Sequence, residues 1–273
     1  MGCITILSDL GMQDASLASV KGILSQRQPN KMLIDVAHNI EPFHMQQAAY
    51  LLASAHPSFE KGTYHIVLFD IFHQREPNLI VAEKDGHYFF APDNGVLPMA
   101  FNDDITNIWL CKTMDKSNSA KDWADEIASA IETISEGGIE NAGYEKHDIK
   151  NAPKHTKPTV TGNMIECQVI HIDRFENVIL NITKQEFDDV AKGRSFSIRF
   201  MRDDEINHIS EHYYDVNEGQ KLCRFNSTGY LEIAINRGKA ASLFGFKLLR
   251  EQQLIYNTIK ITFNDSTDSA NVF

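Results

Sequence analysis

The feature that most constrains this chain is the order in which hydrophobic patterns follow one another in its first half. Short apolar runs with the length of buried strands, such as Cys3–Leu7, alternate with amphipathic segments. In the first of these segments Leu17, Val20 and Leu24 recur at helical spacing. Strand–helix alternation of this kind predicts a mostly parallel sheet with flanking helices, which is an α/β fold.

The second half of the chain has a different pattern. Residues Glu136–Pro158 are rich in Gly, Asn, Lys and Pro and have almost no apolar periodicity, which indicates a linker. After it, strand-like runs follow one another, such as Thr159–Ile172 and Leu254–Phe263, and one short helix is expected to begin at Thr183. We therefore predict an α/β N-terminal domain over residues 1–150 and a small all-β domain, a barrel or a sandwich, over residues 151–273.

Composition excludes several classes of protein. The 273 residues carry a formal net charge of −11, which argues against nucleic acid or an anionic membrane as a partner. Apolar runs stay well short of a membrane span, and Asp9 interrupts the apolar start, so no signal peptide is expected. None of the four cysteines pairs in a C-x-x-C motif. We therefore expect free thiols and a cytoplasmic protein.

Two candidate metal sites are visible, and neither favours a metal. His208–His212 matches the H-x-x-E-H signature, but that signature needs a helix, and the flanking residues have the pattern of a strand followed by a turn. A second group of possible ligands is split by the predicted strand that ends at Asp70 and comprises His65, Asp70, His73 and Glu76. We expect no metal. G-x-S-x-G, G-x-G-x-x-G and P-loop patterns are also missing from the sequence.

Polar turns close several of the predicted strands. In open α/β sheets the ligand crevice lies beyond the carboxyl ends of the strands. There Asp9, Asp14 and Ser16 offer two carboxylates and a hydroxyl, which suit a small ligand with hydroxyl and ammonium groups, although Ser16 is equally suited to cap the following helix.

These turns, taken in order, resemble the S-adenosylmethionine (SAM) hydroxide adenosyltransferases, a family that also contains fluorinases and chlorinases. The resemblance covers nearly the whole chain and is strongest in Ser8–Gly11, Ile34–Ile40, Ala91–Gly95, Ile172–Asn177 and Asn226–Ala234. It implies an α/β domain joined to a small β-barrel. It also implies a homotrimer whose ligand lies between the N-terminal domain of one subunit and the C-terminal domain of the next, with SAM as substrate and no cofactor.

The resemblance also implies a role for each matching residue. Asp9 would accept two hydrogen bonds from the ribose diol, at about 1.5–3 kcal/mol each. The methionine ammonium would be held by Asp14, Ser16 and Asp173, with Asn177 and Ser227 near its polar end. The backbone around Lys239 and Ala240 would meet the adenine edge. Phe43 falls where an aromatic residue covers the nucleoside in the halogenases.

The catalytic positions only partly match the family. Hydroxide-using members align and activate water with an Asp, an Arg and a His. Asp70 occupies the first position, and Arg75 is the only candidate for the second. The loop after Asp70 departs from the family turn, and Ser119 stands where the His is expected. A serine without a base beside it does not replace imidazole as a proton acceptor. His73, in the altered loop, is a candidate for that task.

The resemblance implies attack of water or hydroxide at C5′ of SAM, giving adenosine and methionine. An alternative of a different class is a non-catalytic protein that binds SAM or adenosine. A third is a halide-using transferase, which the negative charge of Asp70 disfavours because a halide would have to bind close to it. The sequence favours the enzyme.

Overall fold

The computed structural model describes residues 2–149, 157–201, 204–248 and 258–264. The chain divides into two compact units, Met1–His155 and Thr156–Phe273, and each unit has hydrophobic clusters of its own. Among the described residues, none of the helices combines the length and apolar character that crossing a membrane requires.

Unit 1 is built on a seven-stranded sheet flanked by helices. Its strands are β1 (Ile4–Ser8), β2 (Leu33–Ala37), β3 (Tyr64–Leu68), β4 (Asn78–Lys84), β5 (His87–Pro92), β6 (Ile108–Thr113) and β7 (Glu145–Lys146), in the order β2-β1-β3-β5-β4-β6-β7. Its α-helices are α1 (Ala15–Arg27), α2 (Met45–Ala55), α3 (Val96–Ala100) and α4 (Ala120–Gly137).

The predicted α/β architecture is present, and its sheet is mixed. Strands β2, β1, β3 and β5 run parallel, whereas β4, β6 and β7 join through antiparallel pairings. The physical reason is the connection between β4 and β5. Asp85 and Gly86, both with positive φ, close a tight hairpin there, so the chain returns antiparallel without a crossover helix.

Both faces of the unit 1 sheet are buried. Along β3 and the residue after it, Ile66 and Leu68 join the cluster that includes α1 and α4, while Val67 and Phe69 join the cluster that includes α2 and α3. This alternation follows from the two-residue period of a strand and explains why β3 is mainly apolar. His65 is the polar exception within β3, and it is buried.

The polar segment Glu136–Pro158 is only partly the linker that its composition predicts. The 3₁₀ turn Ile139–Asn141 and the short strand β7 lie within it, and β7 pairs with β6. The ammonium of Lys146 lies 3.6 Å from the ring centroid of Trp109, a cation–π contact that holds this strand on the sheet. Residues 150–156 lie outside the described residues.

Unit 2 is an antiparallel, nearly closed, barrel-like sheet. Its strands are β8 (Thr159–Thr161), β9 (Met164–Ile172), β10 (Val178–Thr183), β11 (Phe196–Met201), β12 (Asp204–Ile206), β13 (Lys221–Phe225), β14 (Tyr230–Ile235) and β15 (Thr258–Phe263). The order is β12-β11-β15-β9-β10-β14-β13, with β8 paired to β9. An isolated bridge from Ile209, just after β12, to Cys223 on β13 links the two ends of this order.

Several local predictions for unit 2 can be compared with the structure. The single strand expected over Thr159–Ile172 is a hairpin that turns at Gly162, where φ is +59°. Thr183 caps helix α5 (Lys184–Ala191) with Glu186, as predicted, and a second helix, α6 (Ala240–Phe244), was not expected in an all-β domain. Of the strand predicted over Leu254–Phe263, residues 254–257 lie outside the described residues. His212 precedes a 3₁₀ turn, Tyr213–Asp215.

Candidate ligand-binding and active site

Two carboxylates meet where the neighbouring parallel strands β1 and β3 end. The strands are paired in register from Ile4 to Ser8, so Asp9 and Asp70 follow equivalent ends. The backbone N–H of Asp9 donates to the carbonyl oxygen of Leu68 at 3.3 Å, and Oδ2 of Asp9 accepts from the backbone N–H of Asp70 at 2.9 Å. Both residues therefore lie at one edge of the sheet, beyond the ends of β1 and β3.

The electrostatics of this pair favour a ligand that brings hydrogen-bond donors or positive charge. Burial raises the pKa of the Asp9 carboxyl, and the nearby charge of Asp70 raises it further, against the hydrogen bond from the Asp70 N–H. Burial likewise raises the pKa of Asp70, while the charge of His73 lowers it. Each carboxylate is thus partly desolvated, and a donor group from a ligand would restore the solvation that it has lost.

Neighbouring groups hold the chain in an unusual conformation after β3. Asp70 has φ of +48°, a left-handed value that Asp tolerates better than most residues. The backbone N–H and Nδ1 of His73 both lie 3.1 Å from the Asp70 carbonyl oxygen, and Nδ2 of Asn94 donates to the Phe69 carbonyl at 2.9 Å. Backbone strain of this kind is concentrated at functional sites.

Phe43 lies in the loop between β2 and α2 and is both strained and exposed. Its φ is +66°, and 61% of the residue is accessible to solvent. A bulky side chain in the left-handed region is a genuine outlier, and burial of the ring does not compensate for it here. The conformation leaves most of the residue accessible to solvent.

Asp14 and Ser16 are adjacent at the start of α1. Oδ1 of Asp14 accepts from the backbone N–H of Ser16 at 2.7 Å, so Asp14, and not Ser16, caps this helix. Hydrogen bonds from the backbone and side chain of Ser16 lower the pKa of Asp14, which keeps it ionised near neutral pH. Asp14 is exposed and thus open to a cationic partner.

Arg75 and Ser119, two further positions from the sequence analysis, have different surroundings. Arg75 is exposed in the loop after β3. Ser119 forms a capping box with Asp122 at the start of α4: its hydroxyl donates to Oδ2 of Asp122 at 2.7 Å and accepts from the Asp122 N–H at 3.4 Å. The Ser119 hydroxyl is therefore used to hold a helix end.

In unit 2, Asp173 organises the turn between β9 and β10. Its Oδ1 accepts from the backbone N–H groups of Phe175 and Asn177, at 2.9 and 2.8 Å, and its Oδ2 accepts from Nδ2 of Asn177 at 3.0 Å. Asn177 is buried, whereas Phe175 is 74% exposed. The two predicted ligand residues of this turn are thus in direct contact, and Asn177 fixes the orientation of the carboxylate.

Glu176 joins this turn to the segment expected at the adenine edge. Its carboxylate accepts from Nζ of Lys239 at 2.7 Å and from the backbone N–H of Ser242 at 3.0 Å, and its carbonyl accepts from the Ala241 N–H at 2.9 Å. Ala240 is fully buried, backbone included, whereas its neighbour Lys239 is exposed. Glu176 has φ of +62°, which its sequence context did not reveal.

Ser227 is exposed in the turn before β14. β14 itself contains a buried acid, Glu232, that the sequence analysis did not single out. Glu232 is 4% exposed, and the hydroxyl of Tyr213 donates to its Oε1 at 2.6 Å. Burial and the charge of Asp173 raise the pKa of Glu232, while Tyr213 and Arg224 lower it. The available signal was an acid within an apolar strand, between Leu231 and Ile233.

Comparison with known proteins identifies the family. Residues 4–139 match the N-terminal domain of SAM hydroxide adenosyltransferases, and residues 167–252 match their C-terminal domain. The chain belongs to the SAM hydroxide adenosyltransferase family. Both matched regions contain predicted site residues, Asp9 and Asp70 in the first and Asp173 and Ser227 in the second.

Relatives within the family share about a quarter of their residues with this chain. An (R)-S-adenosyl-L-methionine hydrolase of Methanocaldococcus jannaschii is 25% identical over 93% of this chain and 95% of its own length. An (R)-S-adenosyl-L-methionine hydrolase of Thermus thermophilus is 26% identical over 89% of this chain and 96% of its own length. A fluorinase of Nocardia brasiliensis is 21% identical, over 89% and 93%.

Solved structures support the fold. A crystal structure of a conserved protein from Thermotoga maritima superposes with a TM-score of 0.77 at 24% identity, covering 95% of this chain and 99% of the other. A crystal structure of a conserved protein from Thermus thermophilus gives 0.71 at 22% identity, covering 97% and 100%. At this level of identity the two structures establish the fold of this adenosyltransferase-family chain and nothing further.

The structure brings together some of the family positions and leaves others apart. Within unit 1 it joins Asp9 to Asp70 and Asp14 to Ser16, and within unit 2 it joins Asp173 to Asn177. Groups of three or more potential metal-ligating side chains are not found within the described ranges. The sequence analysis missed Asn94 and Glu176, whose importance arises from hydrogen bonds to distant backbone groups.

Proposed function

We propose that this protein binds SAM and hydrolyses it to adenosine and methionine. The observation that carries the proposal is the pair of half-buried carboxylates, Asp9 and Asp70, tied together at the ends of two adjoining parallel strands. Membership of the SAM hydroxide adenosyltransferase family supports it, as do the names of the relatives from Methanocaldococcus jannaschii and Thermus thermophilus.

The charges of the candidate site match those of the substrate. SAM carries a sulfonium, an ammonium and a ribose diol. In the proposal, Asp9 accepts from the diol, while Asp14, Ser16 and Asp173 bind the ammonium, with Asn177 and Ser227 at the polar end of the methionine. Phe43 covers the nucleoside, and the backbone at Lys239 and Ala240 meets the adenine. The lowered pKa of Asp14 supports its part, because the carboxylate stays charged near neutral pH.

The proposed reaction needs little acid catalysis. A water oxygen forms a bond to the ribose C5′ as the C5′–S bond breaks, and the bonding pair stays on sulfur as the neutral thioether of methionine. Water loses one proton, and adenosine is the second product. Because the sulfonium is already an activated leaving group, the protein has to align the water and exclude bulk solvent. Asp70 is the proposed water-binding carboxylate, with Arg75 as its proposed partner.

Assembly and compartment belong to the same proposal. We infer a homotrimer in which residues of the N-terminal domain of one subunit and the C-terminal domain of the next share one substrate, as the family resemblance implies. We also infer a closed barrel for unit 2, which the bridge between Ile209 and Cys223 supports. A cytoplasmic location is consistent with the four free thiols at Cys3, Cys111, Cys167 and Cys223.

The decisive experiment follows the fate of SAM in ¹⁸O-labelled water. Incubation of the full chain, with chromatography and mass spectrometry, is expected to give equal amounts of adenosine and methionine, with the label in the 5′-hydroxyl of adenosine. Asp70→Asn is expected to retain SAM binding by calorimetry and to lose adenosine formation. Adenosine without the label would rule out attack of water at C5′.

Two other outcomes would replace the proposal. Tight binding of SAM with no adenosine above the Asp70→Asn background would make the protein a binding protein. Formation of 5′-chloro-5′-deoxyadenosine that depends on chloride would make it a halide-using transferase. The negative charge of Asp70 argues against the latter, since an anion near it is repelled.

A further inference from the structure

A hydrogen bond from Nδ1 of the His73 ring determines whether Nε2 of the same ring carries a proton or a lone pair. Nδ1 of His73 lies 3.1 Å from the carbonyl oxygen of Asp70. A carbonyl oxygen has no proton to give, so Nδ1 carries the hydrogen and donates. In the neutral imidazole the lone pair then lies on Nε2, which is a hydrogen-bond acceptor and a base.

Nε2 of His73 is buried, and within the described part of the chain no donor reaches it. Buried polar atoms in native proteins are nearly always paired with protein, ordered water or ligand. Nε2 of His73 is therefore a buried acceptor that lacks a protein donor. It is suited to receive a hydrogen bond from a small molecule such as water. The ring is also close enough to Asp70 for its charge to lower the pKa of that carboxyl.

We propose that Nε2 of His73 is the base that takes the proton from the water molecule attacking C5′. This inference rests on the proposed function. As the O–C5′ bond forms and the C5′–S bond breaks, one O–H bond of water breaks and its proton moves to Nε2. The resulting imidazolium, stabilised by the neighbouring carboxylate of Asp70, then releases the proton to solvent. His73 is therefore a catalytic residue that this chain supplies from the loop after β3.

The arrangement around α4 is consistent with this assignment. Ser119, which stands in the position of the family histidine, uses its hydroxyl in the capping box with Asp122 and has no base of its own. The loop that contains His73 is also the part of the sequence that departs from the family turn.

The test separates the two nitrogens of the ring. His73→Asn places an amide N–H near the position of Nδ1, so it can still donate to the Asp70 carbonyl, but it removes the base at Nε2. We expect kcat for adenosine formation to fall at least about 100-fold, with KM for SAM changed less than about threefold. His73→Ala is expected to regain part of its rate when free imidazole is added. His208→Asn, at an exposed histidine of unit 2, is the matched control.

The outcomes of this test are distinct. A kcat of His73→Asn close to that of the wild-type protein would overturn the role of His73 while leaving the proposed function intact. A rise in KM with unchanged kcat would overturn it as well, because His73 would then only shape the loop. Absence of adenosine with the wild-type protein would overturn the proposed function and this inference together. Circular dichroism and SAM titration of each variant show that the comparison is made between folded proteins.

Discussion

At the scale of single residues, the most informative side chain is Phe43. Its backbone conformation destabilises the folded state, and the packing of its side chain does not offset that cost. The left-handed region costs an L-residue about 1–2 kcal/mol. A buried ring would offset that cost through apolar contacts, but Phe43 is 61% exposed. Such strain is retained at sites where a ligand uses the side chain. The residue is therefore better explained by what it presents to solvent than by what it contacts.

We expect Phe43→Gly to separate stability from binding. Glycine adopts positive φ without strain, so the midpoint of thermal unfolding should stay unchanged or rise. Loss of stacking on the adenosyl group should weaken SAM binding by about 1–3 kcal/mol, which calorimetry measures directly. Phe43→Leu is the matched control, since it keeps the backbone strain and removes only the aromatic face. Equal SAM affinity in all three proteins would contradict a role for Phe43 in the site.

At the scale of elements, Ser119 has a structural task at the start of α4. Its capping box satisfies backbone N–H groups at the first turn of α4, the helix that carries Trp123 into the core. An exposed hydroxyl bonded to an aspartate in this way is a helix cap and not a nucleophile or base. The cap therefore contributes to the stability of unit 1.

We expect Ser119→Ala to destabilise unit 1 by about 0.5–2 kcal/mol, the usual cost of losing an N-cap. Turnover per folded molecule should remain at the wild-type level. Both tryptophans, Trp109 and Trp123, lie in unit 1, so their fluorescence during denaturant unfolding reports this unit alone. Ser117→Ala, outside the capping box, is a nearby control. A drop in kcat with unchanged stability would mean that the Ser119 hydroxyl takes part in the chemistry.

The comparison of elements also shows what local sequence determines. β3 and helix α5 follow directly from an apolar run and from the Thr183–Glu186 capping box, because strand burial and helix capping are short-range effects. The direction of β4 and the addition of β7 to the sheet depend on partners far along the chain, which periodicity does not encode. Neither residue type favours positive φ, so the local sequence does not predict the strained backbone of Phe43 and Glu176.

At the scale of the whole molecule, a cluster of buried histidines links stability to pH. His65 is 1% exposed and stacks on Phe89, with ring centroids 4.8 Å apart, and its Nε2 lies 3.1 Å from Nδ1 of His87. Burial, with the charges of His87 and His56, lowers the pKa of His65 to about 3. Burial also lowers the pKa of His87 and of His56.

We expect the free energy of unfolding of unit 1 to decrease as the pH falls from about 6.5 toward 3. In this range the unfolded chain binds protons that the folded chain does not, so acid favours unfolding. At pH 5, His65 alone accounts for a loss of about 2 kcal/mol relative to pH 7. Urea titration monitored by tryptophan fluorescence measures the free energy of unfolding at each pH. His65→Gln should remove the part of the pH dependence that is due to His65. His208→Gln, at an exposed histidine, should leave the pH dependence unchanged. The same pH dependence in the wild-type protein and both variants would exclude the histidine cluster as its source.

The proposed trimer makes a prediction that a single chain cannot satisfy. Asp70→Asn and Asp173→Asn subunits should each be inactive alone. If the two residues serve one substrate from different subunits, co-expressed mixed trimers should recover activity, up to about one quarter of the wild-type level in random 1:1 assembly. Native mass spectrometry establishes the subunit count and the mixing. Failure of well-mixed trimers to recover any activity would place both residues of each site in one chain.

The short strand β7 has a consequence for the behaviour of the protein in concentrated solution. It occupies the outer edge of β6 with two exposed charged residues, Glu145 and Lys146. Without it, the longer and partly apolar β6 would present its free backbone groups to other molecules, which is a common start of intermolecular β-aggregation. A segment that looks like plain linker thus keeps copies of the chain from adhering to one another edge to edge.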